Sequence, residues 1–378
     1  IPGIKYGLIN SIFVCFTYSF TDFGAPSVVG GNYNVLATDI YKQVIGQQNF
    51  NMGAVVGIVM MIPTIVSFTV DRITGSKQSG AISSKSVPYQ IKKHKPSDFA
   101  FSVYCFVIVI FLIGFFAVSF YGSVVTFWPY NKTLTLEHYD FSKIAAGSGI
   151  KSIVQSVKVS VLTALIGTAF AFVTAYVVEK LGICPKLRRI IYFFAISPNA
   201  IPGTVIGLAY ILFFNPLVFP IPGTNLAFEN SFNFLYGTTA ILVIVNITHY
   251  FSVPFVTAST ALKRLDREFE TVSDSMKVPF YKTFFRITVP MSVGAILEML
   301  TYFFMNSMIT VSAVIFLYTP LTKLASVVVL NVKGAGNDAE AAALCMVIMG
   351  INLAVRLVYE AISKIVTRRT EKWTVREA

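Results

Sequence analysis

The sequence predicts an all-α, polytopic membrane protein of eight transmembrane helices. Hydrophobic residues make up 55% of its 378 residues and charged residues only 13%, with a mean hydropathy of +0.69. A soluble chain of this length needs far more charge to cover its surface. Apolar runs of roughly the 20 residues that a bilayer requires recur along the chain, at about 3–21, 51–71, 100–122, 151–178, 190–214, 236–262, 287–311 and 341–366. Basic residues alternate with them. Arg72, Lys77, Lys85, Lys92, Lys93 and Lys95 follow the second run; Lys180, Lys186, Arg188 and Arg189 the fourth; Lys263, Arg264, Arg267, Lys277, Lys282 and Arg286 the sixth; Lys364, Arg368, Arg369, Lys372 and Arg376 the last. The loop 215–235 has no Lys or Arg, and 22–50 has only Lys42. Every second loop is basic, which places those loops and the C-terminus on the cytoplasmic side. The net charge of +12 is therefore a topology signal. Spread over separate loops, it forms no stripe for nucleic acid.

Taken in order, the first run ends at Asp22, in Thr21-Asp22-Phe23-Gly24-Ala25-Pro26, a helix-terminating loop residue with a gating role as the alternative. A Ser/Lys/Gly-rich stretch follows the second run and suits a flexible cytoplasmic connector. The third run closes on an aromatic belt, Phe127-Trp128-Pro129-Tyr130. The fourth contains Lys158, which either snorkels outward or pairs within the bundle. The fifth carries Ser197-Pro198-Asn199-Ala200-Ile201-Pro202-Gly203-Thr204 near its middle and Tyr210 beyond it. Its prolines free backbone carbonyls, tolerated in a bilayer only where protein or water satisfies them. The segment is either a packing kink or a wall of a solute pathway, with Ser197, Asn199, Pro202, Thr204 and Tyr210 as candidates. Glu298 lies at the centre of the seventh run. A carboxylate there is costly unless paired, hydrated or protonated, so it is either an inter-helix hydrogen-bond partner or a pathway residue. His249 is the one membrane histidine, a type more often structural than chemical when alone.

Between the sixth and seventh runs lies Leu265 to Pro290, LDREFETVSDSMKVPFYKTFFRITVP. Leu265, Phe269, Val272, Met276, Phe280 and Phe284 recur at three or four residues, one stripe of a helix. Pro279 interrupts the stripe, so two short helices meeting at an elbow are expected. Catalytic signatures are absent. There is no GxxxxGK[ST] phosphate loop, no HExxH and no GxSxG. Cys15, Cys105, Cys184 and Cys345 stand singly, and indicate neither a disulfide framework nor a metal site.

The chain opens in mid-pattern at Ile1-Pro2-Gly3, without Met, and reads as a fragment. A shift of 288 aligns Pro2 with Pro290, Leu36-Ala37 with Leu324-Ala325, Gly46 with Gly334, Asn49 with Asn337 and Met61 with Met349, without a gap. The first two runs thus repeat the last two. Residues 1–74 are expected to be the C-terminal part of a first module, 75–99 a linker, and 100–378 a complete six-span second module.

The 265–290 loop resembles the cytoplasmic coupling loop of ABC-importer permeases, whose pattern runs Glu-Ala-Ala, then Gly, then a hydrophobic residue and Leu-Pro. Glu270 takes the acidic position and Ile287-Thr288-Val289-Pro290 the close, while Val272-Ser273 replace the alanines and Lys277 the usual glycine. Residues 21–41 and SPNAIPGTVIGLAY at 197–210 are similar to the fused two-module permeases of the ferric-iron group, and within that group residues 306–320 and 42–50 look most like permeases assigned to 2-aminoethylphosphonate uptake. That resemblance implies a bacterial inner-membrane transport subunit with no catalytic site or cofactor of its own. An extracytoplasmic solute-binding protein would deliver solute, and two ATP-binding subunits holding Mg-ATP would dock on coupling loops. Here the docking residues would be Leu265, Arg267, Phe269, Glu270, Val272, Asp274, Met276, Lys277, Pro279, Phe280 and Pro290. Glu298, set beside an ammonium group, leans the solute toward 2-aminoethylphosphonate; ferric iron or another small solute such as a polyamine is the alternative. An ion-coupled secondary transporter is the rival from another class, although such proteins usually carry inverted repeats.

Overall fold

The structure is a computed structural model that describes residues 5–31, 33–78, 95–144, 148–181, 184–220, 227–266 and 268–371. Pro2, Arg267, Lys372, Arg376 and most of the 75–99 linker lie outside the described residues. The chain is mostly helical. It runs α1 (Lys5–Thr21), α2 (Gly24–Val29), α3 (Leu36–Tyr41), α4 (Phe50–Gln78), α5 (Lys95–Val124), α6 (Gly149–Glu179), α7 (Pro185–Ile196) and α8 (Gly203–Phe214). It continues through α9 (Thr239–Tyr250), α10 (Ser252–Arg264), α11 (Glu268–Ser275), α12 (Phe280–Thr283), α13 (Val289–Met291), α14 (Val293–Ile309), α15 (Ala325–Gly334) and α16 (Asp338–Glu371). Two small antiparallel hairpins, β1 (Val125–Phe127) with β2 (Asn131–Leu134) and β3 (Val218–Pro220) with β4 (Ala227–Glu229), close loops between helices.

Among the described residues, four helices are long and apolar enough to cross a membrane, or up to seven if each bent pair is one span. The long ones are Phe50–Val70, Lys95–Val124, Gly149–Glu179 and Asp338–Ile365. The expected fifth, sixth and seventh runs are broken: α7 and α8 meet at 110°, α9 and α10 at 58°, and α12–α13 and α14 at 76°. The expected first run is α1, described from Lys5 to Thr21. None of the apolar window of α5 is buried. A face of Phe, Ile and Val that wide is unstable against water and natural against lipid.

Helix packing follows from small residues. Along α6, Ser152, Ser156, Ser160, Thr163, Gly167, Ala171 and Ala175 are buried, bringing α14 and α10 close. At Gly167 an added methyl would lie 3.0 Å from the Phe303 ring. Around this seam Phe172, Tyr176, Phe255, Leu262 and Met299 form one core. A second core gathers Ile40, Met60, Leu208, Ile241 and Leu317. The non-helical segment 313–317, Ala-Val-Ile-Phe-Leu, is wholly buried within it.

Some element bounds correspond at the same shift of 288. Adding 288 to Thr21, the last residue of α1, gives 309, the last of α14. Adding it to 36–46 gives 324–334, where α15 runs from Ala325 to Gly334. Phe50, the first residue of α4, maps to position 338, the first of α16.

Candidate functional site

Two features stand out: a groove on the 265–290 loop and a cavity among the broken helices. The loop forms as the pattern requires, two short helices with an elbow. α11 ends in a Schellman-type turn: the Val278 amide donates to the Ser273 carbonyl at 2.9 Å, and Lys277 adopts φ +52°. Pro279 then caps α12. Ser273 and Thr283, both buried, join the two arms through their hydroxyls. The ends of the apolar stripe are anchored. Leu265 and Phe284 pack into the core around α6, with the Phe284 ring 4.8 Å from that of Tyr176.

The middle of the stripe points outward. Phe269, Val272, Met276 and Phe280 are exposed, Met276 at 71%. Phe269, Val272 and Met276 line a groove of about 740 Å³ together with Asp266, Lys277, Pro279, Lys282 and Arg286. Asp274 lies on α11 and Pro290 in α13. Glu270 is turned inward instead of standing at the rim: its Oε2 accepts from Lys180 Nζ at 3.1 Å.

The cavity, about 740 Å³, lies where α1, the α7–α8 break, the α9–α10 junction and the end of α14 converge. Asn199 and Pro202 line it. Ser197 is outside the lining, its hydroxyl donating to the Phe194 carbonyl at 3.0 Å. Thr204 is buried just behind, and Tyr210 bonds Thr248 at 2.6 Å, outside the lining. The break is satisfied by protein. Ser252 Oγ donates to the Ile196 carbonyl at 3.0 Å and accepts from the Asn199 amide at 3.2 Å. Glu298 is exposed on α14 and is not part of the lining. Lys158 is exposed on α6, and the described residues show no ion pair between the two.

Sequence reasoning missed most of the lining. Tyr18, His249, Tyr250, Tyr302 and Asn306 face the same space. Asp22 does so as well, while its carboxylate caps α2 through the Gly24 amide at 3.0 Å. The repeat held the missing signal. Tyr18, Thr21, Asp22, Phe23 and Gly24 all line the cavity, and so do their partners at +288, Asn306, Ile309, Thr310, Val311 and Ser312. No Lys or Arg lines it among the described residues, and Asp22 is its carboxylate. No group of three His, Cys, Asp or Glu side chains able to hold a metal ion occurs among the described residues.

Residues 167–370 match the family described as "Binding-protein-dependent transport system inner membrane component". The chain is 27% identical over 365 residues to the ferric transport system permease protein FbpB of Actinobacillus pleuropneumoniae, covering 95% of this chain and 51% of that protein. It is 23% identical over 261 residues to a relative in Salmonella paratyphi A named for 2-aminoethylphosphonate transport, PhnV, covering 68% of this chain and 92% of the relative. The chain thus spans about half the length of the ferric relatives it matches. A chain of a bacterial alginate ABC transporter, in a crystal structure with an alginate-bound periplasmic protein, superposes with a TM-score of 0.59 at 15% identity. That match covers 72% of this chain and 96% of the other, and shows a shared fold.

Proposed function

Because this chain belongs to the family of binding-protein-dependent transport system inner membrane components, we propose that it is the permease subunit of an ABC importer whose 265–290 loop docks an ATP-binding subunit. The observation that carries this reading is a rigidly anchored loop presenting Phe269, Val272, Met276 and Phe280 to the outside around a groove. Such an apolar cluster on a fixed frame fits a protein surface, as interface anchors do. Lys282 and Arg286 at the groove would meet acidic partners. Two ATP-binding subunits supply Mg-ATP hydrolysis, a solute-binding protein loads the outer face, and the basic loops and C-terminus face the cytoplasm of an inner membrane. The matching bounds at +288 support a two-module reading of eight spans: 1–74 from a first module, a linker at 75–99, and 100–378 as the second.

The test is Met276→Asp. Met276 is 71% exposed, so the change leaves folding and membrane insertion intact. It places a carboxylate in the docking cluster, and the ATP-binding subunit is expected to be lost on co-purification. A complex that survives this substitution overturns the docking assignment. Retention of an amphipathic loop on lipid alone, with no subunit bound even to the parent chain, would point to a membrane-surface role.

For the solute, the cavity supports a cation, with ferric iron first. Asp22 and the phenols of Tyr18, Tyr250 and Tyr302 offer hard oxygen, and no cationic side chain lines the space among the described residues. Sparse ligation suits a pathway, which must release what it binds. The ferric relatives also cover more of this chain. The 2-aminoethylphosphonate reading keeps the PhnV likeness, but Glu298, the carboxylate expected beside its ammonium group, is not among the residues that line the cavity. Uptake of radioactive ferric iron by membranes holding the complete transporter, competed by 2-aminoethylphosphonate, separates the two. Iron uptake indifferent to the phosphonate supports the cation; its absence overturns it.

A further inference from the structure

Adjacent residues at the end of α6 hold three segments at once. Lys180, its side chain only 3% exposed, donates from Nζ to Glu270 Oε2 at 3.1 Å and to the Leu265 carbonyl at 3.0 Å. Glu179, side chain 4% exposed, accepts from Arg188 Nη2 at 2.6 Å and Ser259 Oγ at 2.6 Å, and pairs with Lys263 Nζ at 3.3 Å. The first residue therefore grips the loop, and the second grips α7 and α10. Both of those helices lead to the cavity wall. α7 runs into the break that contains Asn199, and the far end of α10 is Ser252, whose hydroxyl holds Ile196 and Asn199. A buried ammonium has no cheap alternative partner, so the pair resists separation when the loop is pulled.

We propose that Glu179 and Lys180 are the positioning residues that carry movement of the loop to the cavity wall, Lys180–Glu270 being the input and Glu179 with Arg188, Ser259 and Lys263 the output. This rests on the docking reading above. It also gives Glu270 a role inside the chain, in place of contact with a partner.

The test reads the wall directly and needs no knowledge of the solute. Asn199→Cys, exposed in the cavity, is placed in a full-chain background with native cysteines replaced, co-purified with its ATP-binding subunits, and labelled with N-ethylmaleimide. With the link intact, ATP and vanadate are expected to change the labelling rate by about fivefold or more, the lower range of coupling between sites. Lys180→Met, which keeps the apolar stem, is expected to leave the subunits bound and make labelling indifferent to nucleotide. Lys180→Glu with Glu270→Lys is expected to restore the response. A nucleotide response that persists in Lys180→Met overturns the proposal. So does a parent that binds its subunits and shows no response. Failure of the parent to bind ATP-binding subunits at all sinks the docking reading instead. Because each rate is a property of the folded complex, reduced yield of a variant does not imitate the result.

Discussion

Lys277 adopts φ +52° at the end of α11, and its neighbour Val278 closes the turn onto Ser273. A left-handed lysine costs roughly 1 kcal/mol relative to glycine, whose missing Cβ removes the clash. This is also the position at which the loops that the sequence resembles carry glycine, so the departure visible in the sequence falls on a real conformational demand. Lys277→Gly should melt at or above the parent temperature, the relieved strain offsetting the added freedom of the unfolded chain. Lys277→Val should lose about 1–2 kcal/mol, since a β-branched side chain tolerates this region poorly. Thermal unfolding of the two variants in detergent decides the matter; a glycine variant less stable than the valine one refutes the turn. Not every residue was this legible. A charge in an apolar run shows that it is costly in lipid but not which helix face bears it, and Glu298 proved to be exposed. His249, a lone histidine among apolar residues in the sequence, lines the cavity beside Tyr250.

Broken helices were readable where prolines mark them and unreadable where packing makes them. Pro198 and Pro202 announced the α7–α8 break, but nothing in the sequence gives its 110° angle. That angle is fixed by what α8 meets. Gly207 sits so close to the buried 313–317 segment that an added Cβ would lie 2.5 Å from the Ala313 carbonyl oxygen and 3.0 Å from the Phe316 ring. Backbone cannot yield as a side-chain tip does, so Gly207→Ala should push α8 outward and cost about 1–3 kcal/mol, the usual penalty of overpacking. The measurement is the fraction of chain recovered folded from detergent, with Gly114→Ala on α5, where an added methyl meets nothing within 4 Å, as control. Equal recovery of both variants would show that the approach of α8 is looser than the structure has it. The loop helices were more legible, because a stripe at helical spacing and one proline suffice to describe them. Their inward turn of Glu270 was not, since its partner Lys180 is 90 residues away in sequence.

At the scale of the molecule, one cavity is lined by two segments that correspond at a shift of 288: residues 18–24 end α1 as 306–312 end α14. The shift of 288 was visible as a few identities, and its consequence became visible only once both segments faced the same space. The repeat is also imperfect there, in ways that matter. Asp22 is matched by Thr310 and Tyr18 by Asn306, so the carboxylate comes from one copy alone. If paired segments line a common pathway, a movement that opens or closes it must act on both. Cysteines placed separately at Tyr18 and Asn306 should therefore change their reactivity in the same direction when ATP and vanadate are added to the complex. Leu321→Cys, at a position 93% exposed and outside the cavity, reports reactivity that owes nothing to the pathway. Position 306 starts less accessible, half-buried where Tyr18 is 62% exposed, so the sign of the change and not its size carries the comparison. Opposite signs at the two positions would mean that the halves of the lining move independently. The repeat would then be a matter of ancestry, with no common gate built on it.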